Sequence, residues 1–399
     1  DAMIQTPEEL ARLIDRIVEC RCVSLDTEFV WERTYFPRLG LVQAALPGGE
    51  CVLIDAVCGL DLTPLGRVLG DSEIIKILHD AQQDLTILRR VTGTFPRHVF
   101  DTRCAAGFVG LGATVSLQEL LGATLGIELS KTETRTDWLQ RPLSERQISY
   151  ALDDVRYLVA ARDEQLNRIR RLGHERWLYE ELAGYDAEEL YQDRDPAVQY
   201  DRIKGSGRLS ARKLAVLREL TAWREVEARR RDIPRDHLIS DRSLLVIAQR
   251  IPRSADELSS LNGLPRNTVA RYGKKLTGCV MAGLNLPKRY CPPTPPRHRR
   301  PNVRSLVNKA LAVVRDRASS ARIDPTMVVT RAELNALAHE ARRAKPEEHR
   351  VLMGWRREFV GADVLELFLR SGHTEDQQSN EHAPMNEEAS GDGQMSISE

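Results

Sequence analysis

In the run LDTEF at 25–29, Asp26 and Glu28 stand two apart, so in a strand their side chains share one face while Leu25 and Thr27 take the other. Two carboxylates side by side just after an apolar strand start are costly unless a cation or solvent meets them. A plainer reading, a strand running out into a loop with ordinary solvated acids, stays open on these two residues alone. Two further acids enlarge the set: Asp84 in HDAQQDL, near the start of a helix, and Asp154 in YALDDVRYL. Tyr150 and Asp154 are spaced i and i+4, which places them one above the other on a helix face and lets them reach one site together. Four carboxylates of this kind are the usual oxygen ligands of Mg2+ or Mn2+, hard ions that take a few carboxylates together with substrate phosphate and water. Two such ions about 4 Å apart can activate water on one side of a phosphodiester and stabilise the leaving oxygen on the other. Hydrolysis of nucleic acid is the chemistry such a set would serve.

The elements that must position these residues are legible as patterns. Thr6, Pro7 and Glu9 form a capping box ahead of the stripe Leu10, Leu13, Ile14, Ile17 and Val18, which predicts a helix. Runs at 22–29, 39–46 and 51–56, separated by Pro37, Pro47, Gly48 and Gly49, predict three strands in a hairpin or meander. A helical stretch at 61–69, a strand at 73–79 and a helix at 81–91 follow. From residue 100 to about 183 the pattern is nearly all helical, with Ser144 and Gln147 boxing the start of the helix that carries Tyr150 and Asp154. The expectation for residues 1–185 is therefore an α/β domain with a mixed sheet and helices on both faces.

Clustered charges with Pro196, Gly205 and Gly207 mark a boundary, and an all-α unit is expected at 208–285, with Ser254 and Glu257 as a further capping box. Six prolines between 286 and 302 predict an extended, stiff linker. A second helical unit is expected at 303–372, echoing the first at an offset of 91 residues, as in Val216 and Val307, Pro234 and Pro325, or Gly263 and Gly354. The polar, acidic stretch at 373–399 has no apolar periodicity and is expected to be disordered.

The net charge of zero conceals a segregation. Residues 1–185 hold 21 Lys+Arg against 28 Asp+Glu, whereas residues 186–373 hold 37 against 23. An acidic working domain joined to a basic holding region suits a polyanionic partner, although arginines solvating long helices would look the same. No run of 18 apolar residues occurs, so membrane-spanning functions are not expected. Seven Cys without a CxxC pair, and no apolar signal segment near Asp1, fit a reducing cytoplasm better than a disulfide framework or a zinc site.

Taken in order, Asp26 and Glu28 in LDTEF, Asp84 in HDAQQDL, and Tyr150 and Asp154 in YALDD resemble the three motifs of the ribonuclease D family, in the tyrosine-containing branch of the DEDD superfamily of 3′ to 5′ exonucleases. The connector KTETRTDWLQRPL at 131–143 is similar to the segment that this family places before its third motif. Residues 208–285, through Trp223, Arg224, Ala228, Arg229, Pro234, Leu244, Pro252 and Leu258, resemble the HRDC domain, a small helical nucleic-acid-binding module. The resemblance implies a ribonuclease H-like nuclease domain followed by two HRDC-like domains. It implies catalysis by Asp26, Glu28, Asp84, Tyr150 and Asp154 with two divalent ions, Mg2+ or Mn2+, the four acids as ligands and Tyr150 orienting the attacking water. As products it implies 5′-mononucleotides, and as substrates single-stranded RNA 3′ ends, including transfer RNA precursors with 3′ extensions. A cytoplasmic monomer is expected. Phe29, Trp31, Tyr35 and Phe36, just after the first motif, are candidates to stack on bases or to pack the domain. Two other readings are a DNA exonuclease using the same residues and a noncatalytic RNA-binding protein. A helicase-associated module is disfavoured because no GxxxxGK[ST] loop occurs.

Overall fold

The computed structural model of the 399-residue chain describes residues 2–129, 136–294 and 303–370. The acidic stretch at 373–399, residues 295–302 of the proline-rich run and residues 131–135 of the connector lie outside the described residues. The chain divides into two compact units, 1–299 and 300–399.

The first unit opens with a six-stranded mixed sheet. Its strands are β1 (Ala2–Ile4), β2 (Cys22–Val30), β3 (Arg38–Ala45), β4 (Cys51–Asp55), β5 (Ile75–Leu78) and β6 (Val99–Asp101), in spatial order β1-β4-β3-β2-β5-β6. The expected meander is β2-β3-β4, with antiparallel pairing throughout. Strands β1, β5 and β6 run parallel to their neighbours, which the intervening helices make possible. At three residues each, β1 and β6 are too short for alternation to show in the sequence.

Helices cover both faces. On one, Leu10, Leu13 and Ile17 of α1 (Pro7–Cys20) meet Val23 and Leu25 of β2, together with Leu85 and Leu88 of a helix at Gln82–Thr92. Each such fully buried side chain contributes about 1.5–3 kcal/mol from area alone. On the other face, Leu41, Ala45 and Leu53 meet Trp138 and the stripe Ala151, Leu152 and Val155 of a helix at Glu145–Arg156. Numbering in chain order with the short helix at Gly66–Leu69 as α2, the helix at Gln82–Thr92 is α3, Thr102–Ala106 is α4, Leu117–Leu125 is α5, and Glu145–Arg156 is α6. Helices α7 (Leu158–Leu172) and α8 (Glu175–Leu182) complete the layer. The core of this domain also takes in Tyr191, 1% exposed, beyond the last of these helices.

A helical bundle follows in the same unit, its core beginning with Ile203. Helix α9 (Ala211–Arg231) packs against α11 (Asp241–Arg250) and α13 (Arg266–Asn285), with the short α10 (Arg235–Leu238) and α12 (Ala255–Ser259) between them. At Gly283 a side chain would lie 2.5 Å from the Cα of Val216, so glycine is what allows α13 to cross α9 this closely. Buried Arg224 donates to the Ile239 carbonyl at 2.9 Å and pairs with Asp241 at 2.6 Å, tying α9 to the start of α11. The expected Ser254–Glu257 capping box is half formed. Ser254 caps the Glu257 N–H, but the Glu257 carboxylate reaches back to the Arg253 N–H instead.

The second unit holds α14 (Arg304–Ala321), α15 (Pro325–Val328), α16 (Arg331–Glu340) and a helix over 354–370 with a π-type turn at Arg357–Gly361. Its first three helices repeat features of the first bundle. Left-handed caps at Asp232 and Arg322, and N-caps at Ser240 and Thr330, stand 90 positions apart, one fewer than the apolar pairs suggest. The glycine pair Gly263 and Gly354, both at positive φ, keeps the offset of 91.

Candidate active site

Strand β2 carries its two acids toward α6. In the β2-β3 register Asp26 faces Gln43 and Glu28 faces Leu41, and the pairing shifts directly after Glu28 in a β-bulge that turns the strand end outward. Helix α6 is held by the Ser144–Gln147 capping box and by its buried stripe, which leaves Tyr150 and Asp154 on the side facing β2. Carboxylate oxygens of Asp26, Glu28 and Asp154 come within 4.8 Å of one another. The Tyr150 hydroxyl donates to Asp154.

Asp84 arrives from the opposite helix layer, as the third residue of α3. It stands outside the group of three but close enough for its charge to act on Asp26. The Thr27 hydroxyl donates to Asp84 Oδ1 at 2.5 Å, so the residue between the two strand acids holds the third. Alternation along β2 sends Thr27 to the far face, and nothing in the sequence pattern marks it as part of the site.

The connector before α6 supplies the wall behind Tyr150. Trp138, 4% exposed, lies 6.0 Å from the Tyr150 ring between centroids and rests on β3 at Gly40, where a side chain would come within 2.5 Å of the Trp138 carbonyl oxygen. Arg141 locks this arrangement with a guanidinium fork on buried Asp55, at 3.1 and 2.6 Å, and with further donations to the carbonyls of Trp138 at 3.0 Å and Gly40 at 2.8 Å. Trp138 and Arg141 belong to the family-like connector at 131–143, but their supporting roles depend on the long-range partners Gly40 and Asp55.

Burial, reinforced by the neighbouring acids, holds the carboxyls in their protonated form unusually far up the pH scale. Asp26 is pushed well above the normal carboxylate range, Glu28 to about 8 and Asp154 to about 7. Burial also raises Asp84, to about 6, against the opposing pull of the Thr27 hydrogen bond. Tyr150 is shifted upward by burial and by Asp154, so it stays a neutral hydrogen-bond donor. The adjacent Asp80 and Asp153 are paired with Arg103 and Arg156, whereas among the described residues none of the four site acids has an arginine or lysine partner. An all-carboxylate donor set with uncompensated charge fits a hard divalent cation such as Mg2+ or Mn2+ and not a thiolate-seeking or imidazole-seeking metal.

A cleft of about 910 Å³ opens beside Glu28 and Tyr150, lined also by Phe29, Trp31, Arg33 and Trp138 among others. Of the four aromatic candidates, Trp31 is 53% exposed and Phe29 half-buried, both at this cleft. Phe36 lies under the Arg90 guanidinium at 3.8 Å, and Tyr35 is engaged by Arg229 at 3.1 Å and Arg235 at 2.9 Å from the helical bundle. Tyr35 and Phe36 are thus committed to packing.

Comparison with known proteins agrees with this geometry. A 3′-5′ exonuclease family model matches residues 2–169, and the HRDC domain model matches residues 213–280. Ribonuclease D of Desulfotalea psychrophila is 39% identical over 362 residues, covering 90% of this chain and 96% of that protein. Ribonuclease D of Pseudomonas paraeruginosa is 35% identical, covering 86% and 91%. The crystal structure of Escherichia coli RNase D, described as an exoribonuclease involved in structured RNA processing, superposes with a TM-score of 0.83 at 30% identity, over 92% of this chain and 98% of that one. With acids from β2 and α6 gathered within 4.8 Å and Asp84 of α3 close by, and with relatives matched over nearly their full length, the chain belongs to the ribonuclease D family of 3′ to 5′ exonucleases.

Proposed function

We propose that the chain is a metal-dependent 3′ to 5′ exoribonuclease that releases 5′-mononucleotides from single-stranded RNA ends, with transfer RNA precursors bearing 3′ extensions as substrates. The observation that carries this reading is the meeting of Asp26, Glu28 and Asp154 within 4.8 Å beside Tyr150. Asp26, Glu28 and Asp154, with Asp84 beside them, are the residues that would hold two divalent ions. When bound, such ions supply an acidified water and neutralise charge at the leaving oxygen. Tyr150, neutral and hydrogen-bonded to Asp154, orients the nucleophile and is too weak an acid to serve as a strong base at neutral pH. The bulge after Glu28 and the Trp138 wall keep these groups in register while the cleft leaves room for a terminal nucleotide.

The HRDC domain and the second helical unit, at 208–285 and 303–372, would supply backbone contacts that position RNA without reading its bases. This division of labour suits a monomer working in the cytoplasm. The test compares end-labelled RNA and DNA single strands, with free or blocked 3′ ends, in Mg2+, Mn2+ or chelator. Stepwise shortening of RNA from a free 3′ end that chelator abolishes is the expected result. Equal or faster cleavage of DNA would move the assignment to a DNA exonuclease.

A further inference from the structure

Asp101, the last residue of β6, is 2% exposed and lies outside the catalytic motifs. Its carboxylate nevertheless accepts five hydrogen bonds. Oδ1 takes the N–H groups of Asp80 at 3.2 Å, Arg103 at 2.8 Å and Cys104 at 3.3 Å. Oδ2 takes the Ala81 N–H at 2.9 Å and the Tyr185 hydroxyl at 2.6 Å. One carboxylate thereby caps two helices: α4, which it precedes directly, and α3, whose own N-cap Ala81 has no side-chain acceptor. The turn it holds is a demanding one. Asp80 sits at φ +63°, a left-handed conformation uncommon outside glycine, although aspartate adopts it more readily than most residues.

Helix α3 delivers Asp84 three residues after this turn, so the height and rotation of its first turn set where the Asp84 carboxylate stands. Tyr185 comes from the chain leaving the nuclease domain, and that segment is itself secured. The Tyr191 hydroxyl donates to the Tyr185 carbonyl at 2.6 Å, Asp186 accepts the His98 N–H at 2.9 Å, and Arg97 pairs with Glu188 at 2.7 Å. A chain of direct bonds therefore runs from the exit segment through Tyr185 and Asp101 to the first turn of α3.

We infer that Asp101 and Tyr185 are positioning residues for Asp84, and that the exit segment of the nuclease domain thereby sets the affinity of the site for its divalent cation. The inference rests on the proposed role of Asp84 as a metal-holding acid. Removing the Tyr185 hydroxyl leaves one lone pair of a buried carboxylate unmet and loosens the turn, while the ring keeps its volume. Partners that orient a ligand from behind typically change metal affinity by roughly 10-fold or more.

The test uses the full chain and four variants: Tyr185→Phe, Asp101→Asn, Asp84→Asn, and Leu10→Ala in α1 as a control destabilised far from the site. Mg2+ binding is measured by calorimetry without RNA, alongside melting temperature and the separate kcat and KM for a short RNA. Tyr185→Phe is expected to weaken Mg2+ binding roughly 10-fold and lower kcat with KM unchanged, while Leu10→Ala lowers the melting temperature without altering Mg2+ affinity. Tyr185→Phe decides the matter if Asp101→Asn fails to fold. Wild-type Mg2+ affinity in Tyr185→Phe, with Asp84→Asn impaired, overturns the inference and leaves the reading of the site intact. Wild-type Mg2+ affinity and turnover in Asp84→Asn overturn both. An equal loss of affinity in Leu10→Ala would show a general effect of stability and also overturn the inference.

Discussion

The Tyr35 hydroxyl donates to the carboxylate of Glu225, 190 positions further along the chain, and so fastens the loop behind the Asp26–Glu28 strand to the first helix of the HRDC domain. Glu225 is 1% exposed and also pairs with Arg229 at 3.0 Å and Arg235 at 2.6 Å. The Phe36 N–H adds a bond to Asp232 at 3.0 Å, and the Trp31 indole N–H donates to the Tyr35 carbonyl at 3.1 Å. The HRDC domain thus fixes the loop from which Trp31 projects into the cleft beside Glu28 and Tyr150.

Replacing Glu225 with Gln leaves Arg229 and Arg235 facing a neutral partner in a half-buried setting, and a loss of about 2–3 kcal/mol is expected after allowing for their partial exposure. Chemical denaturation would measure it, with a raised KM for RNA as the functional counterpart. Burial opposes ionisation of Glu225, but hydrogen bonds from Arg235, Tyr35 and Arg229 outweigh it and hold the carboxyl down at about 2. The folded value lies below the unfolded one of about 4.3, so this stabilisation is present above that pH and is lost as pH falls toward 2. The stability of Glu225→Gln should accordingly change less than wild type across the acid range.

Asp26→Asn and Asp154→Asn should each lower kcat by roughly 100-fold or more, equivalent to about 3 kcal/mol of transition-state stabilisation, while RNA binding persists. An amide keeps the shape of the carboxylate and removes its charge. Single-turnover cleavage beside a gel-shift titration separates the two effects, and near-normal turnover in saturating Mg2+ would remove these residues from the site.

Tyr150→Phe keeps the ring against Trp138 and deletes only the hydroxyl on Asp154. Turnover should drop roughly 10-fold to 100-fold with Mg2+ affinity little changed, since the role assigned is orientation of water. Abolished Mg2+ binding in calorimetry would make Tyr150 a structural support instead.

Chelator-treated protein should lose stability as pH rises from about 4 to about 8. Burial and mutual repulsion raise Glu28 to about 8, Asp154 to about 7 and Asp84 to about 6, with Asp26 well above its usual range. Across this interval the folded state holds more protons than the unfolded state, whose carboxyls titrate near 4, so the unfolding free energy falls with pH. Added Mg2+ should therefore raise the melting temperature more at pH 8 than at pH 5. A flat pH profile in chelator would contradict the burial of these acids.

Much of the site is legible in the sequence through local periodicity. Asp26 and Glu28 share a face because strands repeat every two residues, and Tyr150 and Asp154 because helices repeat every 3.6. Their approach to one another depends on the β2-β3-β4 meander, which turn residues announce, and on α6, which its capping box announces. The features that periodicity does not reveal depend on partners remote in sequence. Thr27 reaches Asp84 from the face opposite the two strand acids, Arg141 finds Asp55 some 86 positions back, Asp101 caps a helix that begins before it, and Tyr35 is claimed by a different domain. Strands β1 and β6 carry too few residues for any pattern and exist because the neighbouring strands offer them an edge.

The wall behind Tyr150 has an optical consequence. Trp138 is one of five tryptophans in the chain, shielded from water and within energy-transfer range of Tyr150, whereas Trp31 stands exposed at the cleft mouth. A shielded indole fluoresces at shorter wavelength than an exposed one, so the two report on different zones of the same cleft. Cation arrival at Asp154 should alter the emission received through Tyr150, and an entering nucleotide should quench the red-edge signal of Trp31. Loading and substrate entry can then be timed separately in an unlabelled enzyme, with Trp31→Phe assigning the second signal.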